Sequence, residues 1–186
     1  MTAPHPLPAP PALRAGRRLR VEGVVQGVGF RPFVHLLAHE HGLGGFVTND
    51  TRGVLIEIEG EAWRLDAFVA DLARRAPPGA RVARIASEPI LAGGRREFTI
   101  LASRVAGARR VPLAADLATC EDCLRELFDP QDRRHRHPFL SCTRCGPRFT
   151  IARSVPWDRA RTTMARFSMC AACAREYGRA SCRERV

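Results

Sequence analysis

The 186-residue chain predicts an α+β fold, a β-α-β-β-α-β unit in its first hundred residues followed by a small metal-stapled module. Three observations predict it. Apolar residues alternate at period two in several short stretches and recur at helical spacing in two others. Glycine and proline clusters separate those stretches. All seven cysteines lie from Cys120 onward, and six of them form three C-x-x-C pairs.

Arg17 to Val25 alternates as a strand, with Leu19, Val21, Gly23 and Val25 on one face. The glycine loop Gln26 to Phe30 follows. Pro32 then sits in the first turn of a helix, where proline is tolerated, and Phe33, Leu36, Leu37 and His41 continue at helical intervals. Gly42 and the Gly44-Gly45 pair end that helix. Leu43 to Asn49 predicts a second strand, Asp50 to Gly53 a turn, and Val54 to Glu59 a third strand. Trp63, Leu65, Phe68, Val69 and Leu72 predict the second helix, closed by Pro77-Pro78-Gly79. Arg81 to Ile90 and Glu97 to Leu101 supply the last extended stretches. That order is the ferredoxin-like split βαβ arrangement, an antiparallel sheet carrying both helices on one face.

The expected organisation is a disordered Pro- and Ala-rich tail at 1–16, the first domain at 17–103, and a linker at 104–115. A four-cysteine finger at 116–155, the first half of a second finger at 156–177 and a non-native-looking tail at 178–186 follow. Hydrophobic content of 45% suffices for a packed core. The apolar runs are short and broken by Arg or Glu, which excludes a bilayer-spanning helix. The first residues lack the basic-then-apolar layout of a secretory signal, so the expected location is cytoplasmic. The net charge of +11 raises nucleic acid as a partner. However, all 30 basic residues are arginine, with no lysine, as in a GC-rich gene, which weakens that inference.

Val21-Glu22-Gly23-Val24-Val25-Gln26-Gly27-Val28-Gly29-Phe30-Arg31 is the most informative stretch. Glycines between a strand and a helix let successive N–H groups turn around an anion. The helix N-terminus adds partial positive charge, and Arg31 can fork two hydrogen bonds onto phosphate oxygens. Neither Walker nor Rossmann spacing is present. On these residues alone, a tight turn with an incidental arginine stays open, as does a turn role for Asn49 before Asp50.

The full string resembles the acylphosphatase signature, Gly-x-Val-Gln-Gly-Val-Gly-Phe-Arg, and the resemblance runs from Arg17 to Leu101. It implies that Gln26, Gly27, Val28, Gly29, Phe30 and Arg31 bind phosphate. It also implies that Arg31 and Asn49 are catalytic, Asn49 orienting water. Gly45-Phe46-Val47-Thr48-Asn49-Asp50 matches the family's Asn-bearing strand, and Gly53-Val54 its next element. The implied substrate is an acyl phosphate such as carbamoyl phosphate. Its good leaving group makes a strong general base unnecessary, so that positioning and charge neutralisation suffice. His35, His39 and His41 are assigned surface or packing roles.

Cys120-x2-Cys123, eighteen residues, then Cys142-x2-Cys145 has the spacing of a four-thiolate zinc site. Four protein ligands leave no open position, so the zinc is expected to be structural. His135 and His137 are then surface residues. Cys170-x2-Cys173 begins a second knuckle with no partner pair. The order of modules, with Cys120-Glu121-Asp122-Cys123 and Cys142-Thr143-Arg144-Cys145-Gly146-Pro147-Arg148-Phe149-Thr150-Ile151, resembles the HypF family, the carbamoyltransferases of nickel–iron hydrogenase maturation. The resemblance implies that Cys170 and Cys173 are metal ligands from a second finger. It also implies that ATP is used only in downstream domains absent from this chain, and that the full-length partner is HypE. In that pathway the carbamoyl group becomes cyanide on the hydrogenase iron.

After Tyr177 the match stops, and Cys182 is not expected to be a ligand by design. A stand-alone acylphosphatase with an accessory finger is the second reading. A nucleic-acid-binding zinc protein is the third, with only Phe46 and Phe98 available on the strands for base stacking.

Overall fold

The computed structural model describes residues 14–105, 107–108, 111–140, 142, 145 and 149–176. β1 (Arg14–Val24), α1 (Phe30–Glu40), β2 (Gly44–Asp50), β3 (Gly53–Glu61), α2 (Ala62–Arg74), β4 (Arg81–Ile90) and β5 (Phe98–Ile100) follow in chain order. The sheet runs β4-β1-β3-β2-β5. The first four strands pair antiparallel, and β5 joins β2 in parallel. Because β3 inserts between β1 and β2, the β1-α1-β2 crossover is split, and the fold is the expected ferredoxin-like α+β arrangement.

Period-two alternation explains the two faces of the sheet. Leu19, Val21, Val47, Val54, Ile56 and Ile58 turn inward and pack on Phe30, Val34, Leu37, Leu65, Phe68 and Leu72 of the helices. Arg18, Arg20 and Glu57, which alternate with them, carry charge. Arg18 stands opposite both Glu57 of β3 and Glu88 of β4, and bonds them at 2.9 and 3.0 Å. Such exposed pairs stabilise by about 0.2–1 kcal/mol each and hold the solvent face polar.

Several local expectations change. β1 starts at Arg14, so residues 14–16 belong to the sheet and not to the expected tail. Gly and Ala carry no alternation signal there, and the backbone pairs with β3 and β4. Along α1 the inward face is Phe30, Val34, Leu37 and Ala38, and Leu36 is exposed. In α2 the inward set is Leu65, Phe68 and Leu72, whereas Trp63 is 64% exposed under the Arg64 guanidinium. Phe46 and Phe98, the strand aromatics, are both buried, so they form no base-stacking surface.

Beyond the sheet, α3 (Glu121–Phe128) and α4 (Ala171–Glu176) are joined through short 3-10 turns. A second, small core gathers Cys123, Leu140, Cys142 and Cys145. Among the described residues no helix is long and apolar enough to cross a membrane. Most of the expected N-terminal tail, residues 1–13, and the expected 178–186 tail with Cys182 lie outside the described residues.

Candidate active site and metal centre

β1 ends in a bulge between Glu22 and Gly23. The turn that follows holds Gly27 at φ 70° and Gly29 at φ 74°. Side chains with a Cβ resist that left-handed region, and alternation of such residues with Val28 folds the backbone into a concave row of N–H groups. Gly29 caps α1 with no side-chain hydrogen bond. Among the described residues, no protein acceptor takes the N–H groups of Gly27, Val28 or Gly29. The first N–H groups of the helix lie beside them, unpaired by the geometry of any helix start. The turn is therefore a donor-rich cradle for an anion.

The flanking side chains fix that cradle. Val28 and Phe30 are buried in the core, so what they can offer an anion is backbone. Gln26, only 1% exposed, sends its amide nitrogen to the carbonyls of Asp50 (2.7 Å) and Gly53 (2.8 Å). Its side chain is thereby committed to tying the turn to the β2–β3 hairpin. Asp50 Oδ1 accepts from the N–H groups of Arg52 and Gly53, and Asp50 Oδ2 meets Arg20 at 2.6 Å. Gly53 is confined further by Val21: a Cβ there would lie 2.1 Å from the Val21 carbonyl oxygen, at φ 154°.

Asn49, the last residue but one of β2, is 2% exposed. Its Nδ2 donates to the Trp157 carbonyl at 3.3 Å, and its buried Oδ1 has no hydrogen-bond partner. Arg31 Nη1 reaches Asp158 Oδ1 at 3.1 Å and Ser103 Oγ at 3.3 Å, while Nη2 donates to the Trp157 carbonyl at 3.5 Å. Two groups that bond one oxygen atom lie close enough to hold one phosphate between them. The expected pair, Arg31 and Asn49, is thus brought to a single mouth. His35 stands apart, against His39 and the edge of Phe98. Burial, then the neighbouring His39, pulls it below the usual histidine range.

Sequence reasoning missed Ser103, Trp157 and Asp158. Val155, Pro156 and Trp157 are buried, and the Trp157 N–H donates to Gln26 Oε1 at 2.9 Å. The available signal was a tryptophan beside Val155 and Pro156, in a segment otherwise poor in core formers, with no zinc knuckle to absorb it.

The four finger cysteines meet as the spacing predicted. Cys120 caps α3, Cys123 lies in its first turn, and Cys142 and Cys145 close from the second knuckle, all four sulfurs within 4.8 Å of one another. The Cys120–Cys142, Cys123–Cys145 and Cys142–Cys145 distances are 3.6, 3.9 and 3.9 Å. A tetrahedron of thiolates bound at about 2.3 Å has edges of about 3.8 Å, so the cage fits one such ion. Without a cation, burial pushes the Cys123 thiol up to about 12. Hydrogen bonding by the Cys142 thiol brings Cys145 down to about 4. Four close thiols cannot all ionise unless a cation offsets their charge. Cys170 and Cys173 lie outside this cage. Cys173 Sγ accepts from Arg133 at 3.3 Å, and among the described residues the pair gathers no third ligand.

Residues 17–100 match the acylphosphatase family model, and residues 119–152 match that of the HypF finger. The carbamoyltransferase HypF2 of Cupriavidus necator is 51% identical over 155 residues, which cover 82% of this chain and 19% of that protein. The acylphosphatase of Thermotoga petrophila is 40% identical over 84 residues, 45% of this chain and 92% of that enzyme. A solved full-length HypF in a phosphate- and nucleotide-bound form superposes with a TM-score of 0.89 at 41% identity. The match covers 95% of this chain and 23% of that structure. The HypF of T. kodakarensis superposes at 0.77 with 43% identity, covering 92% of this chain and 21% of that one. The chain therefore spans about a fifth of the length of the carbamoyltransferases it matches.

Proposed function

Because the chain belongs to the acylphosphatase family and joins that domain to a HypF finger, as the N-terminal part of HypF proteins does, we propose that it hydrolyses the acyl-phosphate bond of carbamoyl phosphate. One observation carries the reading. The unpaired amides of the glycine turn, the Arg31 guanidinium and the unpartnered Asn49 Oδ1 share one mouth.

Each group has a task. The turn amides and Arg31 take the phosphoryl oxygens and neutralise their charge. Asn49 Oδ1 accepts a hydrogen bond from a water and aims its oxygen at phosphorus, opposite the leaving group. The Nδ2 group, turned to the Trp157 carbonyl, fixes which amide atom faces the water. The water oxygen bonds phosphorus as the bond from phosphorus to the acyl oxygen breaks. Carbamate leaves with the electron pair, and the water protons pass to phosphate and solvent. Little charge develops on the nucleophile in such a loose transition state, so the reaction needs no strong general base.

The metal is read as zinc, held by Cys120, Cys123, Cys142 and Cys145. Four thiolates fill its shell, so it braces the finger and takes no part in hydrolysis. In a full-length protein the carbamate would pass to downstream ATP-using domains and then to HypE, on the way to the cyanide ligands of a nickel–iron hydrogenase. The test is phosphate release from carbamoyl phosphate by the purified chain, with Arg31→Ala and Asn49→Ala checked for zinc content and folding. Activity that is lost in both variants supports the assignment. A folded, zinc-loaded wild type without activity removes it.

A further inference from the structure

The polar groups at the mouth converge on two adjacent residues far downstream. Asp158 sets a carboxylate oxygen 3.1 Å from Arg31 Nη1. The Trp157 carbonyl accepts from both Asn49 Nδ2 and Arg31 Nη2, and the Trp157 N–H donates to Gln26 Oε1. The arginine and aspartate side chains are 13% and 24% exposed, so solvent screens the pair only in part. A carboxylate in this place presents to Arg31 the same charge-assisted oxygen acceptor that a phosphate oxygen would present. The T. petrophila acylphosphatase aligns over 84 residues only, a stretch that cannot reach a segment 127 residues beyond Arg31.

We propose that Asp158 is a resident anion of the phosphate mouth, an internal competitor that substrate phosphate must displace from Arg31 and that thereby sets the affinity for acyl phosphates. This rests on the reading of the glycine turn as a phosphate site. Two negative groups cannot share one guanidinium at full strength, so phosphate entry needs the carboxylate to swing off Nη1. Trp157, buried and held through its own backbone, keeps Asp158 within reach and makes the competition intramolecular.

The experiment compares wild type, Asp158→Asn, Arg31→Ala and the double variant, all zinc-loaded. It measures KM and kcat for carbamoyl phosphate, the inhibition constant of inorganic phosphate, and direct phosphate binding by calorimetry. Asp158→Asn removes the charge at constant shape. It is expected to lower KM and to tighten phosphate by about threefold to fivefold, the worth of one partly screened ion pair, with kcat changing less than KM. In the Arg31→Ala background the same change is expected to bring no tightening. Unchanged or weakened phosphate binding in folded Asp158→Asn overturns the proposal while leaving hydrolysis by the wild type untouched. Tighter phosphate binding in a chain that hydrolyses nothing supports the competitor and removes the hydrolase reading instead.

Discussion

Replacing Gln26 by alanine tests whether one buried carboxamide holds the mouth together. Its three hydrogen bonds, at 2.7, 2.8 and 2.9 Å, end on the Asp50 and Gly53 carbonyls and the Trp157 N–H. The substitution leaves three buried polar groups without that partner, at about 1–3 kcal/mol each. The carbonyls fall at the low end because each keeps a second lone pair, so the total loss is about 3–5 kcal/mol. Against a domain stability of about 5–15 kcal/mol, that shift is large. The cost divides: the carbonyl share belongs to the first domain, and the N–H share to the docked Trp157 segment. Urea unfolding separates the two. Far-UV circular dichroism follows the first domain, and fluorescence in a Trp63→Phe background makes the buried Trp157 the sole indole reporter. Trp63 is largely exposed, so its replacement costs little. A circular-dichroism midpoint that moves by less than the equivalent of about 1 kcal/mol refutes the assigned role of Gln26.

Arg31→Ala is expected to lower kcat/KM for carbamoyl phosphate by about a hundredfold or more, as for loss of one charge-stabilising donor, read by phosphate release. Asn49→Ala is expected to lower kcat with KM nearly unchanged, since Asn49 faces the water; a KM effect alone refutes that role. Chelation, or Cys142→Ser, is expected to unfold the small cysteine core while the urea midpoint of the first domain stays unshifted, because the two cores are separate clusters. His35 is held below its ordinary value chiefly by burial. The folded protein therefore prefers it neutral, and this stability is present above the unfolded value of about 6.5 and lost as pH falls through the lowered folded value. His35→Gln should flatten the dependence of the urea midpoint on pH from 7 down to 5. Phe68→Ala, in a fully buried ring position, should cost about 3–5 kcal/mol in the same unfolding assay.

The parts of this molecule that follow from local pattern could be read from the sequence. Leu19, Val21, Val54, Ile56 and Ile58 alternate because a sheet with one covered face requires it. Gly27 and Gly29 stand where only glycine adopts the backbone at no cost. The knuckle spacing brought Cys120, Cys123, Cys142 and Cys145 into one cage. What escaped depends on contacts between distant segments or on rotation about a helix axis. Arg14 to Gly16 join β1 through backbone pairing, which leaves no mark on residue type. Trp63 fits a helical spacing yet projects to solvent, because the inward arc of α2 is already filled by Leu65, Phe68 and Leu72. Trp157 and Asp158 look like loop residues until the fold sets them across the mouth from Arg31.

The distance along the chain between Arg31 and Asp158, 127 residues, also separates them in time. Translation at about 5–20 residues per second places about 6 to 25 s between the synthesis of the two. The fully buried core of the first domain is complete by Phe98, so that domain can fold on the ribosome while its mouth is still uncapped. During that interval the newborn turn meets cellular anions without an internal rival. A ribosome-stalled chain ending before residue 155 should therefore retain phosphate more tightly than the finished one.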